Sequence, residues 1–165
     1  MGCQTFLPCK YQEMLKKEIL INYYMKNFEY YGLFLTEESK TKLKAWLWEN
    51  DYDFNNDIIK GTLPENWYLD HCTLLHRSQL TWDNSNLHDF LIDKLHEDFE
   101  IKVIGIGTSD KAMAFKVNIF PLVSVNKTPH ITICTFNGGK PVDSNNITEW
   151  KDIKPIIVET KLDKR

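Results

Sequence analysis

Apolar side chains recur along this chain at two spacings, about once per helical turn in some stretches and every second residue in others. Residues 11–27, YQEMLKKEILINYYMKN, place Met14, Leu15, Ile19, Tyr23 and Met25 near i, i+4, i+8 positions, which predicts an amphipathic N-terminal helix packed on the domain. YYGLFL, from Tyr30 to Leu35, suits a buried strand. In TEESKTKLKAWLWEN, Thr36 and Ser39 offer N-cap oxygens, acids fall in the first turn, and Leu43, Trp46 and Leu47 form an apolar stripe, the signature of a helix. NNDIIKGTLPEN, with Gly61 and Pro64, breaks the pattern.

Beyond that break, Trp67 to Leu75 reads as a second strand. WDNSNLHDFLIDKLHEDF gathers Leu87, Phe90, Leu91 and Leu95 on one side and places His88 and His96 on the polar side, which predicts a second helix. Ile101 to Ile106 and Ala112 to Ile119 flank GTSDK, a turn signature that pairs them as a hairpin. Ile131 to Phe136 is the next strand. NGGKPVDSNNITEW reads as a loop entering a short helix, with Asn146 as N-cap and Glu149 in capping-box spacing. Ile156, Ile157 and Val158 offer a last strand. Strands and helices in this irregular order argue for an α+β fold.

The chain has 165 residues, enough for one domain or two small lobes without disulfide or metal support. A net charge of -3 gives no global positive field for long duplex nucleic acid. Cys3, Cys9, Cys72 and Cys134 lie at no zinc-type spacing, so reduced thiols and a cytoplasmic setting are expected, with no metal and no cofactor. No run of eighteen apolar residues and no secretory pattern occurs, which predicts no membrane span. Met1-Gly2-Cys3 invites a myristoylation reading, but Phe6 stands where that motif wants Ser or Thr.

The candidate chemistry lies in two strands. YLDHCTLLH contains His71 and Thr73, and TPHITICTF contains His130 and Thr132. In a strand each His shares a face with its Thr, while Cys72 and Leu74, or Ile131 and Ile133, share the other. A polar face opposite an apolar one suits a strand that floors an open groove. One imidazole can take a proton from the attacking water or ribose hydroxyl, and the other can protonate the leaving oxygen. The two hydroxyls can hold the non-bridging phosphate oxygens. This inventory fits metal-independent phosphodiester cleavage, and the sequence leaves open which imidazole plays which part. Two His-x-Thr triplets among five histidines are not rare in themselves; their shared context in β-type runs separates them from strand histidines that merely hydrogen-bond locally.

HCTL and HITI resemble the paired motifs of the 2H phosphoesterase superfamily. YYGLFLTEES resembles that superfamily's first strand and helix. NKTPHITI followed by GGKPVDSNNI resembles the branch of tRNA-ligase cyclic phosphodiesterase domains and of phage enzymes that destroy cyclic oligonucleotide signals. The resemblance runs from about residue 28 to the C-terminus, leaving residues 1–27 as an extension. It implies a bilobed α+β fold whose two antiparallel sheets form a central groove with helices outside. It also implies His71 and His130 as the acid/base pair and Thr73 and Thr132 as phosphate ligands. Cys72 departs from the larger aliphatic residue usual there, but cysteine packs as a small hydrophobe.

Other residues are weaker candidates. His76 and Arg77 stand where a second phosphate or a base would be in reach, and where a solvated strand end would look the same. Lys140, Ser144 and Asn145 follow the second motif as ligand contacts or as a turn and cap. Tyr31, Trp67, Tyr68, Trp82 and Phe136 could stack a base. Strand parity puts Trp67 and Leu69 on the face of His71 and turns Tyr68 and Asp70 away, which singles out Trp67.

The expected substrate is a nucleotide or short oligonucleotide handled by a monomer, first a cyclic nucleotide or cyclic oligonucleotide signal of the kind a virus or phage would remove to evade host immunity. Alternatives are an RNA 2',3'-cyclic phosphate end or 2'-5' oligoadenylate, an RNA-repair subunit docked through its N-terminal helix, and a nucleotide-binding module without catalysis.

Overall fold

The computed structural model describes residues 8–25, 28–50 and 64–165. Met1-Gly2-Cys3, the breaker segment up to residue 63, and the side chains of Tyr23 and Met25 lie outside the described residues. Helix α1 is Cys9–Met25, β1 Tyr30–Leu35, α2 Glu37–Glu49, β2 Asn66–Trp67, β3 His71–His76, α3 Ser85–Asp93, β4 Asp98–Thr108, β5 Ala112–Asn118, β6 His130–Thr135 and β7 Trp150–Lys164. The class is α+β. The strands form one antiparallel sheet in the order β2-β6-β3-β1-β7-β4-β5, and β5 pairs back onto β6 to close a barrel. The two sheets expected from the resemblance are therefore joined by hydrogen bonds into one ring.

Alternation in β1 positions the site. Tyr31, Leu33 and Leu35 are buried in the core, each contributing roughly 1.5–3 kcal/mol by leaving water. Tyr30, Gly32 and Phe34 take the opposite face, beside His71. Helix α2 starts where Thr36 accepts a hydrogen bond from the Ser39 amide, and it buries Leu43 and Leu47. The buried Ser39 hydroxyl accepts from the Glu159 amide at 2.8 Å, fastening α2 to β7.

Four expectations change. The helix over residues 82–99 stops at Asp93 because His96, at φ 70°, reverses the chain. Its amide then donates to the Leu162 carbonyl and the Leu162 amide to the Glu97 carbonyl, so β-pairing overrides the helical pattern. No α-helix is entered at Asn146. Pro141–Asn146 form a 3-10 turn capped by the Lys140 amide donating to Asp143 at 2.7 Å. The last strand runs far beyond Ile156–Val158. Ile156, Val158, Thr160 and Leu162 alternate into the core, while Pro155 sits where the β4–β7 register shifts, a position that tolerates its missing N–H. Finally, α1 does not bury its apolar stripe: Met14 is 60% and Ile19 63% exposed.

Candidate active site

The predicted strand from Trp67 to Leu75 is broken in the middle. Leu69 adopts φ 50°, the left-handed region that costs a non-glycine residue roughly 1–2 kcal/mol, and its side chain is buried in the core. The Tyr68 and Leu69 amides still donate to the Ile133 and Thr132 carbonyls, so the chain continues along β6 with its face alternation reset. Asp70 and Tyr68, expected to point away, line the same cleft as Trp67 and His71.

Strands β3 and β6 then meet with Cys72 opposite Ile131. In that antiparallel register His71 stands across from Thr132 and Thr73 across from His130. The two His-x-Thr pairs therefore face each other head to tail. Both line a cleft of about 840 Å³. Cys72, on the opposite face of β3, and Cys134 are both buried, and burial pushes both thiols up to about 12, so neither serves as a nucleophile.

His71 is held on every side. Its Nδ1 lies 2.9 Å from Asp70 Oδ2 and its Nε2 3.1 Å from the Thr73 hydroxyl. The Tyr30 and Phe34 rings stack on the imidazole at 4.7 and 5.1 Å. Gly32 leaves the room for this: a Cβ there would stand 3.3 Å from His71 Cδ2 and 3.1 Å from the Cys72 carbonyl oxygen. Burial holds His71 below its ordinary pKa and outweighs the upward pull of Asp70; positive charge on Arg165 and His130 adds to the lowering. For Asp70, burial acts to raise the pKa, but the hydrogen bond to His71 and the charges of His71 and Lys40 hold it below the usual value.

His130 donates from Nδ1 to the Thr128 carbonyl at 2.8 Å, which makes Nε2 the lone-pair nitrogen of the neutral ring. Burial lowers its pKa, partly offset by that hydrogen bond. Thr132 Oγ1 lies 2.9 Å from Ser144 Oγ.

Trp67, His76 and Lys140 line the cleft as the sequence suggests, and so does Asn145. Ser144 does not. It is buried behind Thr132, with the two hydroxyls 2.9 Å apart. Arg77 is outside the lining. Tyr31 and Phe136 are core residues, and Trp82 instead lies 4.3 Å from the Lys17 ammonium. His96 is exposed. His88, expected on the polar side of its helix, is 1% exposed and bonds the Tyr31 hydroxyl through Nε2 at 3.1 Å.

The sequence missed several wall residues. Tyr30, Gln79 and Asn126 line the cleft, with Gln79 donating to Asn126 Oδ1 at 2.8 Å and so tying the turn after β3 to the loop before His130. Asp70 carried a signal, a carboxylate next to the motif histidine, which strict alternation hid. Among the described residues no cluster of three His, Cys, Asp or Glu side chains is disposed to hold a metal ion, and no helix is long and apolar enough to cross a membrane.

Residues 25–155 match the family model described as the fungal tRNA ligase phosphodiesterase domain. A solved structure similar to this chain is described as the crystal structure of a fungal RNA kinase. Identity is 18% and the TM-score 0.56, with 83% of this chain and 45% of that one covered. The likeness is one of fold, and the chain spans under half the length of that protein. No curated protein sequence matches the chain.

Proposed function

The chain belongs to the family of fungal tRNA ligase phosphodiesterase domains, and on that basis we propose that it hydrolyses the 2',3'-cyclic phosphate at an RNA end by two-histidine acid/base catalysis. The observation that carries this reading is the head-to-tail register of His71-Cys72-Thr73 against His130-Ile131-Thr132. A phosphate bound between the strands would meet one imidazole on each side, as displacement at phosphorus requires of its base and its acid. The Thr73 and Thr132 hydroxyls would hold the non-bridging oxygens and stabilise the charge that builds there.

The cleft supports a small substrate. Its volume of about 840 Å³ suits one or two nucleotides. Besides the histidines its charged lining is Glu29, Asp70 and Lys140, too few cations to track a long phosphate backbone. Trp67 and Tyr68 at the mouth offer flat apolar faces for a base. RNA processing, in the cytoplasm, is the setting this reading prefers. A cyclic oligonucleotide signal also presents a phosphodiester to these groups and is the second reading.

The experiment is hydrolysis of 2',3'-cyclic mononucleotides, cyclic dinucleotides and 2'-5' oligoadenylate with EDTA present, beside His71→Ala and His130→Ala. Cleavage of the 2',3'-cyclic phosphates with both variants inactive supports the reading. Cleavage of cyclic dinucleotides alone moves the assignment to a signal phosphodiesterase. Binding of a nucleotide without turnover on any substrate removes the enzyme and leaves a binding module.

A further inference from the structure

The two histidines have the same motif but different partners. His130 Nδ1 meets a backbone carbonyl, that of Thr128, at 2.8 Å. His71 Nδ1 meets the Asp70 carboxylate at 2.9 Å, and Asp70 Oδ1 lies 3.5 Å from Lys40 Nζ, itself 3.1 Å from Glu37 Oε1. A carbonyl and a carboxylate both fix the tautomer, with the proton on Nδ1. Only the carboxylate adds a full negative charge, which favours the imidazolium. The asymmetry arises at Leu69, whose left-handed backbone brings Asp70 to the face of His71.

The groups around His71 reinforce the distinction. Asp70 and Thr73 adjoin it on the segment that carries it, Tyr30 and Phe34 stack on it from β1, Lys40 approaches Asp70 from α2, and His130 and Arg165 act on it from β6 and from beyond β7. His76 stacks on Tyr30 at 6.5 Å, and Glu29 acts on Tyr30. Among the described residues, Asp70 is the anion in direct contact with the ring.

Resting on the two-histidine reading above, we propose that Asp70 is a positioning residue that holds His71 as the proton donor to the leaving oxygen and leaves His130 to accept the proton of the attacking water. In this step the water oxygen bonds to phosphorus as its proton passes to His130 Nε2. The bond from phosphorus to the ribose oxygen breaks, and that oxygen's electron pair takes the proton from His71 Nε2. A phosphomonoester and a free hydroxyl result. His130 is left protonated and His71 neutral, and exchange with solvent restores both.

Two measurements test this. In the first, the imidazoles are titrated by 15N NMR in the intact chain and in Asp70→Asn. The expected result is a fall of about one unit in the His71 pKa with His130 unmoved; no change at His71 overturns the role of Asp70. The second uses a nucleoside 3'-(4-nitrophenyl) phosphate, in which the 2'-hydroxyl attacks phosphorus and 4-nitrophenolate departs on the opposite side without a proton. This reverses the sense of ring opening, so His71, beside the ribose oxygen, serves as the base and His130 faces the leaving group. On this ester His130→Ala should recover at least about tenfold, relative to wild type, compared with the 2',3'-cyclic phosphate, while His71→Ala stays inactive. Recovery in His71→Ala and not in His130→Ala reverses the two roles and overturns the proposal. The second comparison stands even if Asp70→Asn fails to fold. Full activity in both histidine variants would instead sink the two-histidine reading itself, and the NMR titration still decides what Asp70 does to the ring.

Discussion

The hydroxyl of Thr132 lies 2.9 Å from that of Ser144, so the turn after β6 acts as the backing of the second His-x-Thr pair. Ser144 is buried, and no cleft surface belongs to it. Replacing it with alanine frees the Thr132 hydroxyl to rotate away from the phosphate. Ser144→Ala should lose about 1 kcal/mol of stability and lower kcat/KM about fivefold to tenfold with little change in KM. A rise in KM alone would instead make Ser144 a substrate contact.

Gly32 gives the His71 imidazole its seat. Because a Cβ would stand 3.3 Å from the ring and 3.1 Å from the Cys72 carbonyl, Gly32→Ala must displace one of them by a few tenths of an ångström. Misplacement of a reacting group is felt steeply in the rate, so kcat/KM should fall about tenfold while the far-ultraviolet circular dichroism spectrum is kept. Wild-type activity in Gly32→Ala would mean that the ring is not held as tightly as its stacking indicates.

Trp67 is 53% exposed at the mouth of the cleft. Trp67→Ala should leave stability within about 0.5 kcal/mol while weakening nucleotide binding by about tenfold, as loss of one base-stacking platform does. Isothermal titration with a non-cleavable nucleotide analogue checks this, and unaltered affinity would remove Trp67 from the site.

Burial holds both His71 and His130 below the ordinary histidine value of 6.5. The proposed mechanism needs one neutral and the other protonated, so kcat/KM, which reports the free enzyme, should follow a bell on the acid side of pH 6.5. Above that pH it should decline toward about tenfold per unit. A plateau reaching pH 8 would contradict the lowered values.

Stability should also vary with pH through His88, whose pKa burial lowers against the opposing charge of Asp89. The unfolded chain takes up a proton near pH 6.5 that the native state does not, so this contribution is intact above 6.5 and is lost as pH falls toward the native value. Each such histidine steepens the loss by up to about 1.4 kcal/mol per pH unit within that window. Urea denaturation between pH 7 and 5 should show a shallower decline in His88→Gln, whose amide can still reach the Tyr31 hydroxyl.

We propose residues 28–165 as the domain that carries the cleft, because Phe28 is buried in the core. Deleting residues 1–25 should therefore leave kcat/KM within about twofold. A large loss of activity or of folded protein would make α1 part of the domain.

The sequence by itself determined the local pieces and the chemistry they carry. The apolar, strand-forming runs YYGLFL and HITICT set two buried strands, and Thr36 set the start of α2. The paired His-x-Thr triplets named the candidate reacting groups, because residue type follows directly from the sequence. Tertiary pairing decided the rest. Leu69 bends out of alternation so that its own side chain fills the core while Asp70 turns to His71. β7 reaches Trp150 because β4 offers it a ladder through a register shift, and His88 leaves the polar face of its helix to bond Tyr31 across 57 positions. Each of these outcomes depends on a partner distant in sequence, and a periodicity read along the chain carries no term for that partner.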